Sequence, residues 1–275
     1  MFQNSILLSN PHFSLFGLDI YYYGIISALS YITGVVMACI IAKKRGFKSD
    51  DILTLACFVI PLAVIGARTY YCAFYDKSLA NFWSFRNGGL AFYGGMIGGA
   101  LGVVVYCLIF KKNFLALLDI IAPSMILSQA IGRWGNFVNQ EAFGYEVTNP
   151  KLQWFPFAVY IDSLSEWHLA TFFYESLWNL MTFTILITIL YKVDVKQNGV
   201  IASFYLIIYG IGRAWIEGLR TDSLYIGSLR VSQLLSIVFI VCGVAFVTYA
   251  IIKRVKKEKS NDSFDKIMDV LKTDL

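Results

Sequence analysis

Between Gly132 and Gly144 the chain reads Gly-Arg-Trp-Gly-Asn-Phe-Val-Asn-Gln-Glu-Ala-Phe-Gly, directly after a long apolar run. This puts a guanidinium (Arg133), two amides (Asn136, Asn139) and a carboxylate (Glu141) at the edge of a membrane span, where polar groups are costly and mark sites. A lone arginine there would read as a side chain snorkelling to headgroups. Arginine, paired asparagines, glutamate and three glycines within thirteen positions point instead to a ligand site. A second group, Arg213, Glu217 and Arg220, is offset by four and then three residues, which predicts one helical face. There Glu217 can partner Arg213, a nearly full turn inside the apolar boundary. Glu175, just inside another apolar run, is a candidate because intramembrane carboxylates usually serve a site. Guanidinium forks suit phosphate or carboxylate better than lysine does. The chemistry suggested is the binding of an anionic ligand approached from one membrane face.

A further stretch, Asn87-Gly88-Gly89-Leu90-Ala91-Phe92-Tyr93-Gly94-Gly95-Met96-Ile97-Gly98-Gly99, opens the third apolar run. Glycines at four-residue spacing let helices pack closely in lipid. Paired glycines around Tyr93 also permit irregular backbone and close approach of a ligand. Both roles stay open for the glycines, and Tyr93 is read as a site residue. Tyr21-Tyr22-Tyr23-Gly24 reads as an interfacial aromatic belt.

The elements that must position these residues are apolar. The chain is 57% hydrophobic, above the usual range for a soluble domain, and the predicted class is an all-α polytopic membrane protein. Seven spans are predicted: Tyr22 to Ala42, Ile52 to Tyr71, Gly89 to Phe110, Leu115 to Trp134, Phe172 to Tyr191, Val200 to Gly218 and Val231 to Ile252, each near the ~20 residues a bilayer needs. Basic clusters follow the first, third, fifth and seventh spans: Lys43 to Lys48, Lys111 and Lys112, Lys192 and Lys196, and Lys253 to Lys259. The positive-inside rule makes that side cytoplasmic, with the N-terminus outside and the C-terminus inside. The cations left on the outer side or within spans are mostly arginines: Arg68, Arg86, Arg133, Arg213, Arg220 and Arg230, with only Lys77 and Lys151 as lysines.

The predicted organisation is one transmembrane domain over residues 1–256, with a small extracytoplasmic cap at about 135–171, and a cytoplasmic tail over 257–275. A connection as long as the cap is usually functional. In the tail, Phe264, Ile267, Met268 and Leu271 could form a short amphipathic helix, or the tail could be solvated. The N-terminus lacks a basic region and a cleavage site, so no removable signal peptide is expected. The net charge of +5 sits largely in short loops that set topology, so no nucleic-acid partner is implied. Cys39, Cys57, Cys72, Cys107 and Cys242 stand singly in apolar segments and read as small buried hydrophobes. With His12 and His168 in different loops, no metal site is expected. Glycine-interrupted spans with intramembrane arginines also fit a transporter for an anionic solute. Against that reading, the chain has no internal repeat, and its charges gather toward one face instead of the midplane.

With these residues in hand, Gly-Arg-x-Gly-Asn-Phe-x-Asn-x-Glu-x-x-Gly at 132–144 resembles the signature of the bacterial phosphatidylglycerol–prolipoprotein diacylglyceryl transferases. The Gly-Gly-Leu-Ala-Phe-Tyr-Gly-Gly segment, Arg213-x-x-x-Glu217-x-x-Arg220 and the Tyr-Gly of the first span look like that family too, so the resemblance covers essentially the whole chain. It implies transfer of the diacylglyceryl group of phosphatidylglycerol to the thiol of a lipobox cysteine, forming a thioether and releasing glycerol phosphate. The modified preprotein would pass to signal peptidase II. The setting implied is the bacterial cell membrane, with the site toward the extracytoplasmic face and no cofactor.

Matched position by position, the resemblance gives Arg133 and Arg213 the phosphate of phosphatidylglycerol. It gives Asn136, Asn139, Glu141 and Gly144 the rest of the signature site, and lets Glu217 orient Arg213. Arg220 joins the lipid-binding set, and Tyr23 lines the cavity. Many members carry histidine where Tyr93 stands. A tyrosine with an ordinary pKa near ~10 is neutral at physiological pH and serves better as a hydrogen-bond donor than as a base. The family's His-Pro before Thr-x-x-Tyr-Glu is Leu169-Ala170, with His168 one place earlier. The thiol proton could go to Glu141, to the departing phosphate or through Tyr93.

Overall fold

Apolar residues in seven long runs leave the backbone only helix as a way to satisfy its polar groups in lipid. The computed structural model describes residues 12–15, 18–76, 82–83, 89–193, 197–221, 225–226 and 229–273. Among them are seven helices long and apolar enough to cross a membrane: α1 (Tyr22–Ala42), α2 (Ser49–Tyr71), α3 (Phe92–Phe110), α4 (Phe114–Val138), α5 (Thr171–Lys192), α6 (Val200–Gly218) and α7 (Val231–Thr273). Among the described residues three small antiparallel hairpins accompany them: β1 (His12–Leu15) with β2 (Leu18–Tyr21) before α1, β3 (Ala158–Ile161) with β4 (Glu166–Leu169) between α4 and α5, and β5 (Tyr225–Ile226) with β6 (Leu229–Arg230) between α6 and α7. Residues 1–11, Lys77, Arg86, Asn87, Gly88, Lys196, Asp222 and the last two residues of the tail lie outside the described residues, as do the side chains of 257–273.

α1 and α6 begin and end where the apolar pattern predicts. α4 does not. It runs four residues past Trp134 and takes in Gly135, Asn136, Phe137 and Val138, because glycines in a membrane helix act as packing surfaces more than as breakers. α3 starts at Phe92, three residues after the predicted Gly89, whose φ of +85° needs a glycine-like backbone. α7 continues unbroken to Thr273, so the tail prolongs the seventh crossing.

Two compact units make up the chain, residues 1–30 with 125–275 and residues 31–124. In the smaller unit α2 and α3 cross on glycines. A Cβ at Gly98 would meet the backbone of Leu62 and Ala63, one at Gly94 the backbone of Gly66, and one at Gly102 would come within 2.8 Å of the Val59 Cα. These glycines therefore pack helices, while Gly89 supplies the irregular backbone. Arg68, buried in α2, donates from Nε to the Phe82 carbonyl at 2.8 Å and from Nη1 to the Gly89 carbonyl at 2.9 Å, fastening the connection to α3. Basic residues of this unit are paired as well: Arg45 with buried Asp119 at 3.1 Å and Lys112 with Asp51 at 2.8 Å.

In the larger unit α6 and α7 pack reciprocally, Gly210 against Ile240 and the Ser236 carbonyl, Gly243 against Ile207 and the Ser203 carbonyl. α5 buries Phe172, Glu175, Asn179, Thr182, Leu186 and Leu190, residues three or four apart and hence one inward face. Between α4 and α5, β4 sits in a three-stranded arrangement. β3 pairs one of its edges, and residues 144–147 bond the other through Gly144 N to Leu169 O, Leu169 N to Tyr145 O and Val147 N to Trp167 O.

Candidate active site

Helical spacing places Arg133 and Asn136 on one face of the last turns of α4, three residues apart. Glu175 stands one turn into the buried face of α5, and Arg213 and Glu217 lie a turn apart near the end of α6. Folding brings these three helix ends together. The Glu175 carboxylate takes Arg133 Nη2 on Oε2 at 2.5 Å and Arg213 Nη1 on Oε1 at 2.7 Å. Arg213 Nη2 reaches Glu217 Oε2 at 2.8 Å, and Arg220 Nη1 lies 3.6 Å from Glu175 Oε1. The two carboxylates are 5% and 3% exposed, against 22% for Arg133 and 17% for Arg213. Carboxylates thus lie beneath and guanidiniums toward the open side. Three cations against two anions leave the cluster with one positive charge.

A polar chain extends outward from Arg133. Its Nη1 donates to Asn136 Oδ1 at 3.4 Å, and Asn136 Nδ2 donates to Glu141 Oε1 at 2.8 Å. Glu141 is exposed, and no arginine is paired with it among the described residues. On the other flank, Trp134 Nε1 donates to Ser176 Oγ at 3.2 Å, and Ser176 Oγ donates to the Ala130 carbonyl at 2.7 Å. Below them Ile26, Leu29, Leu127, Ile131, Trp134 and Leu180 line an apolar groove of about 300 Å³.

The remaining candidates fall around this centre in different ways. Arg220 is not on the predicted helical face: α6 ends at Gly218, and Arg220 lies beyond it in a β-bridge with Gly144. A helix end frees the backbone to turn, so its guanidinium still approaches Glu175. Tyr23 packs its ring on Gly135, where an added Cβ would come within 2.9 Å of Cδ2. Gly144 is a close-packed joint. A Cβ there would stand 2.8 Å from the Leu169 Cβ and the Leu219 carbonyl, and its own carbonyl is held by His168 Nδ1 at 2.8 Å. Asn139 is exposed at the end of α4, with its backbone N–H on the Gly135 carbonyl, and makes no described hydrogen bond to the cluster. Tyr93, half-buried in the first turn of α3, belongs to the smaller unit. Among the described residues no group of His, Cys, Asp and Glu could hold a metal ion.

Sequence reasoning underrated two residues. Glu175 is the hub of the cluster, and its signal was the polar stripe it forms with Asn179 and Thr182 at helical spacing inside a span. Arg230 was read only as one of the outer cations. It donates to the Glu217 carbonyl at the end of α6 and to the Tyr145 hydroxyl at 3.0 Å, stapling that helix end to the cap.

Comparison with known proteins identifies the family. The family model for prolipoprotein diacylglyceryl transferase matches residues 11–249. The phosphatidylglycerol–prolipoprotein diacylglyceryl transferase of Finegoldia magna is 48% identical over 238 residues, 84% of this chain and 92% of that protein. Enzymes of the same name from Clostridium perfringens and Clostridioides difficile are each 41% identical, over 90% and 91% of this chain and 96% and 97% of their own.

Proposed function

This chain belongs to the prolipoprotein diacylglyceryl transferase family, and we propose that the Arg133–Glu175–Arg213 cluster is its catalytic centre. The protein is a multi-pass membrane transferase that moves the diacylglyceryl group of phosphatidylglycerol onto a prolipoprotein. The observation carrying the site assignment is that guanidiniums from the fourth and sixth crossings share one buried carboxylate.

In the proposed reaction the thiolate of the lipobox cysteine attacks the glycerol carbon that carries the phosphate ester. A sulfur–carbon bond forms, the carbon–oxygen bond breaks, and glycerol phosphate leaves with the electron pair. Arg133 and Arg213 keep N–H groups beyond those given to Glu175, Asn136 and Glu217, since each guanidinium offers five donors. Those donors bind the phosphate and neutralise charge developing on it in a partly dry site, where such contacts gain strength. Glu175 and Glu217 hold the two forks in register. Carboxylates committed to arginines are weak bases, so the thiol proton goes to Glu141, whose partner is the neutral Asn136 amide.

The apolar groove below Trp134 and Ser176 accommodates an acyl chain of the lipid. The distribution of basic loops supports an active face outside the bacterial cell membrane, with the N-terminus out and the C-terminus in. The thioether product then passes to signal peptidase II. The transporter reading finds no support among the relatives. The decisive experiment is purified protein with phosphatidylglycerol and a lipobox peptide, following glycerol phosphate and peptide mass together. One glycerol phosphate per diacylglyceryl-modified peptide is expected, and release without peptide modification would overturn the proposal.

A further inference from the structure

The cap hairpin leaves one residue of its outer edge, Tyr160, without a backbone partner beside the proposed site. Ala170 N bonds the Phe157 carbonyl, and with the register Ala158↔Leu169 to Ile161↔Glu166 this makes Val159 and Ile161 the residues of β3 that bond β4. In an antiparallel pair, bonded and non-bonded positions alternate, so Ala158, Tyr160 and Asp162 turn their backbone groups the other way. β4 follows the same alternation, since Trp167 and Leu169 bond the 144–147 segment on its far side.

Each end of that outward edge is occupied. The Ala158 N–H is taken by the Trp154 carbonyl at 2.9 Å. The Asp162 N–H is taken by the Gln140 side-chain Oε1 at 2.8 Å, while Gln140 Nε2 donates to Asp162 Oδ2 at 2.6 Å. Gln140 thus imitates a neighbouring strand, from the turn that follows Asn139. Between the two ends Ala158 is fully buried, and both backbone groups of half-buried Tyr160 have no described hydrogen-bond partner. Tyr160 lines one wall of a narrow cleft whose other walls include Asn136, Phe137, Gln140, Glu141 and Phe172. The enclosed volume is about 10 Å³, room for about one water, so an occupant lies along the mouth and not inside.

We propose that the prolipoprotein substrate docks here in extended form, its cysteine-bearing segment pairing with the N–H and carbonyl of Tyr160 in β3. The proposal rests on the transferase reading above. An unpaired edge is a template for another chain, and main-chain bonds give affinity without demanding one sequence. An extended segment sends alternate side chains to opposite faces, so the cysteine faces Glu141 and Asn136 while its neighbours face away. The aromatic walls at Phe137 and Phe172 receive apolar residues two positions from the cysteine.

Two experiments test the edge, both with intact enzyme in detergent or lipid. In the first, lipobox peptides N-methylated one position at a time are given to the wild-type enzyme. KM for the peptide is expected to rise at least tenfold at one position near the cysteine, the residue paired with Tyr160, with the KM for phosphatidylglycerol unchanged. Losses at every position, or none above twofold, would overturn strand pairing. In the second, Tyr160→Pro removes the outward N–H while Val159 and Ile161 keep their bonds to β4, and Tyr160→Phe serves as control. A tenfold rise in peptide KM for the proline variant alone is expected; a folded proline variant with wild-type peptide KM would overturn the idea. Should the proline variant not fold, the N-methyl series decides by itself. If the unmodified peptide releases no glycerol phosphate with wild-type enzyme, the transferase reading fails first and takes the edge with it.

Discussion

Glu175 bridges Arg133 and Arg213, giving one carboxylate oxygen to each guanidinium at 2.5 and 2.7 Å. A single buried acid thereby sets the spacing between two cations from separate crossings. In the proposed mechanism this spacing lets the two arginines, which the family resemblance pairs, act as an anion clamp.

Removing either fork should remove most of the transition-state stabilisation. Arg133→Ala and Arg213→Ala are each expected to lower turnover by about 10²-fold or more, the loss seen when one charge-stabilising donor is deleted. Lysine should not rescue either, because it cannot hold Glu175 and phosphate at once. Glycerol phosphate release with lipobox peptide measures this, and near-normal turnover in both alanine variants would end the site assignment.

Glu175→Gln keeps the shape and removes the charge. Three arginines would then share one remaining buried carboxylate, Glu217. Breaking a buried pair costs roughly 3–5 kcal/mol, so the thermal midpoint in detergent should fall together with activity. A variant that loses activity with an unchanged midpoint would show that Glu175 is not what holds the forks.

Glu141→Gln should behave differently. Because Glu141 is exposed and carries no ion pair, stability should hold while kcat falls by about 10²-fold, the lower end of general-base contributions. A selenocysteine peptide, whose selenol ionises without assistance, should recover much of the lost rate. Equal losses with thiol and selenol substrates would take the proton away from Glu141.

The groove below Trp134 offers an independent check on the lipid side. Ala130→Trp at its wall is expected to raise the KM for phosphatidylglycerol several-fold and leave the peptide KM alone. An unchanged lipid KM would empty the groove of its assigned acyl chain.

Helix packing in the smaller unit can be tested by glycine alone. Gly98→Leu forces side-chain atoms into the Leu62 backbone and should destabilise by about 1–3 kcal/mol. Gly24→Ala, where an added Cβ meets nothing within 4 Å, should be neutral. Thermal unfolding in the same detergent distinguishes them.

What the sequence made legible was local. The four-residue step from Arg213 to Glu217 became a contact, since helix geometry alone determines it, whereas Arg133 meets Asn136 only because α4 runs past its expected end at Trp134. The spans were readable for the same reason, being continuous apolar runs. Glu175 stood out only as an acid inside a span, because its two arginines are 42 and 38 residues distant along the chain and only tertiary packing unites them. The cap strands are four residues each, too short for alternation to declare itself. Gly132 and Gly135 looked like punctuation, yet they lie within α4, where Gly135 carries the ring of Tyr23.

The pairing pattern also bears on biogenesis. Arg213 and Glu217 neutralise one another within a single helix, so α6 can leave the insertion machinery already charge-balanced. Arg133 and Glu175 cannot do this alone, because each waits for a helix made at a different moment of synthesis. α4 must therefore park its arginine at the interface until α5 emerges. The Arg133–Glu175 pair can close only once both crossings are in place.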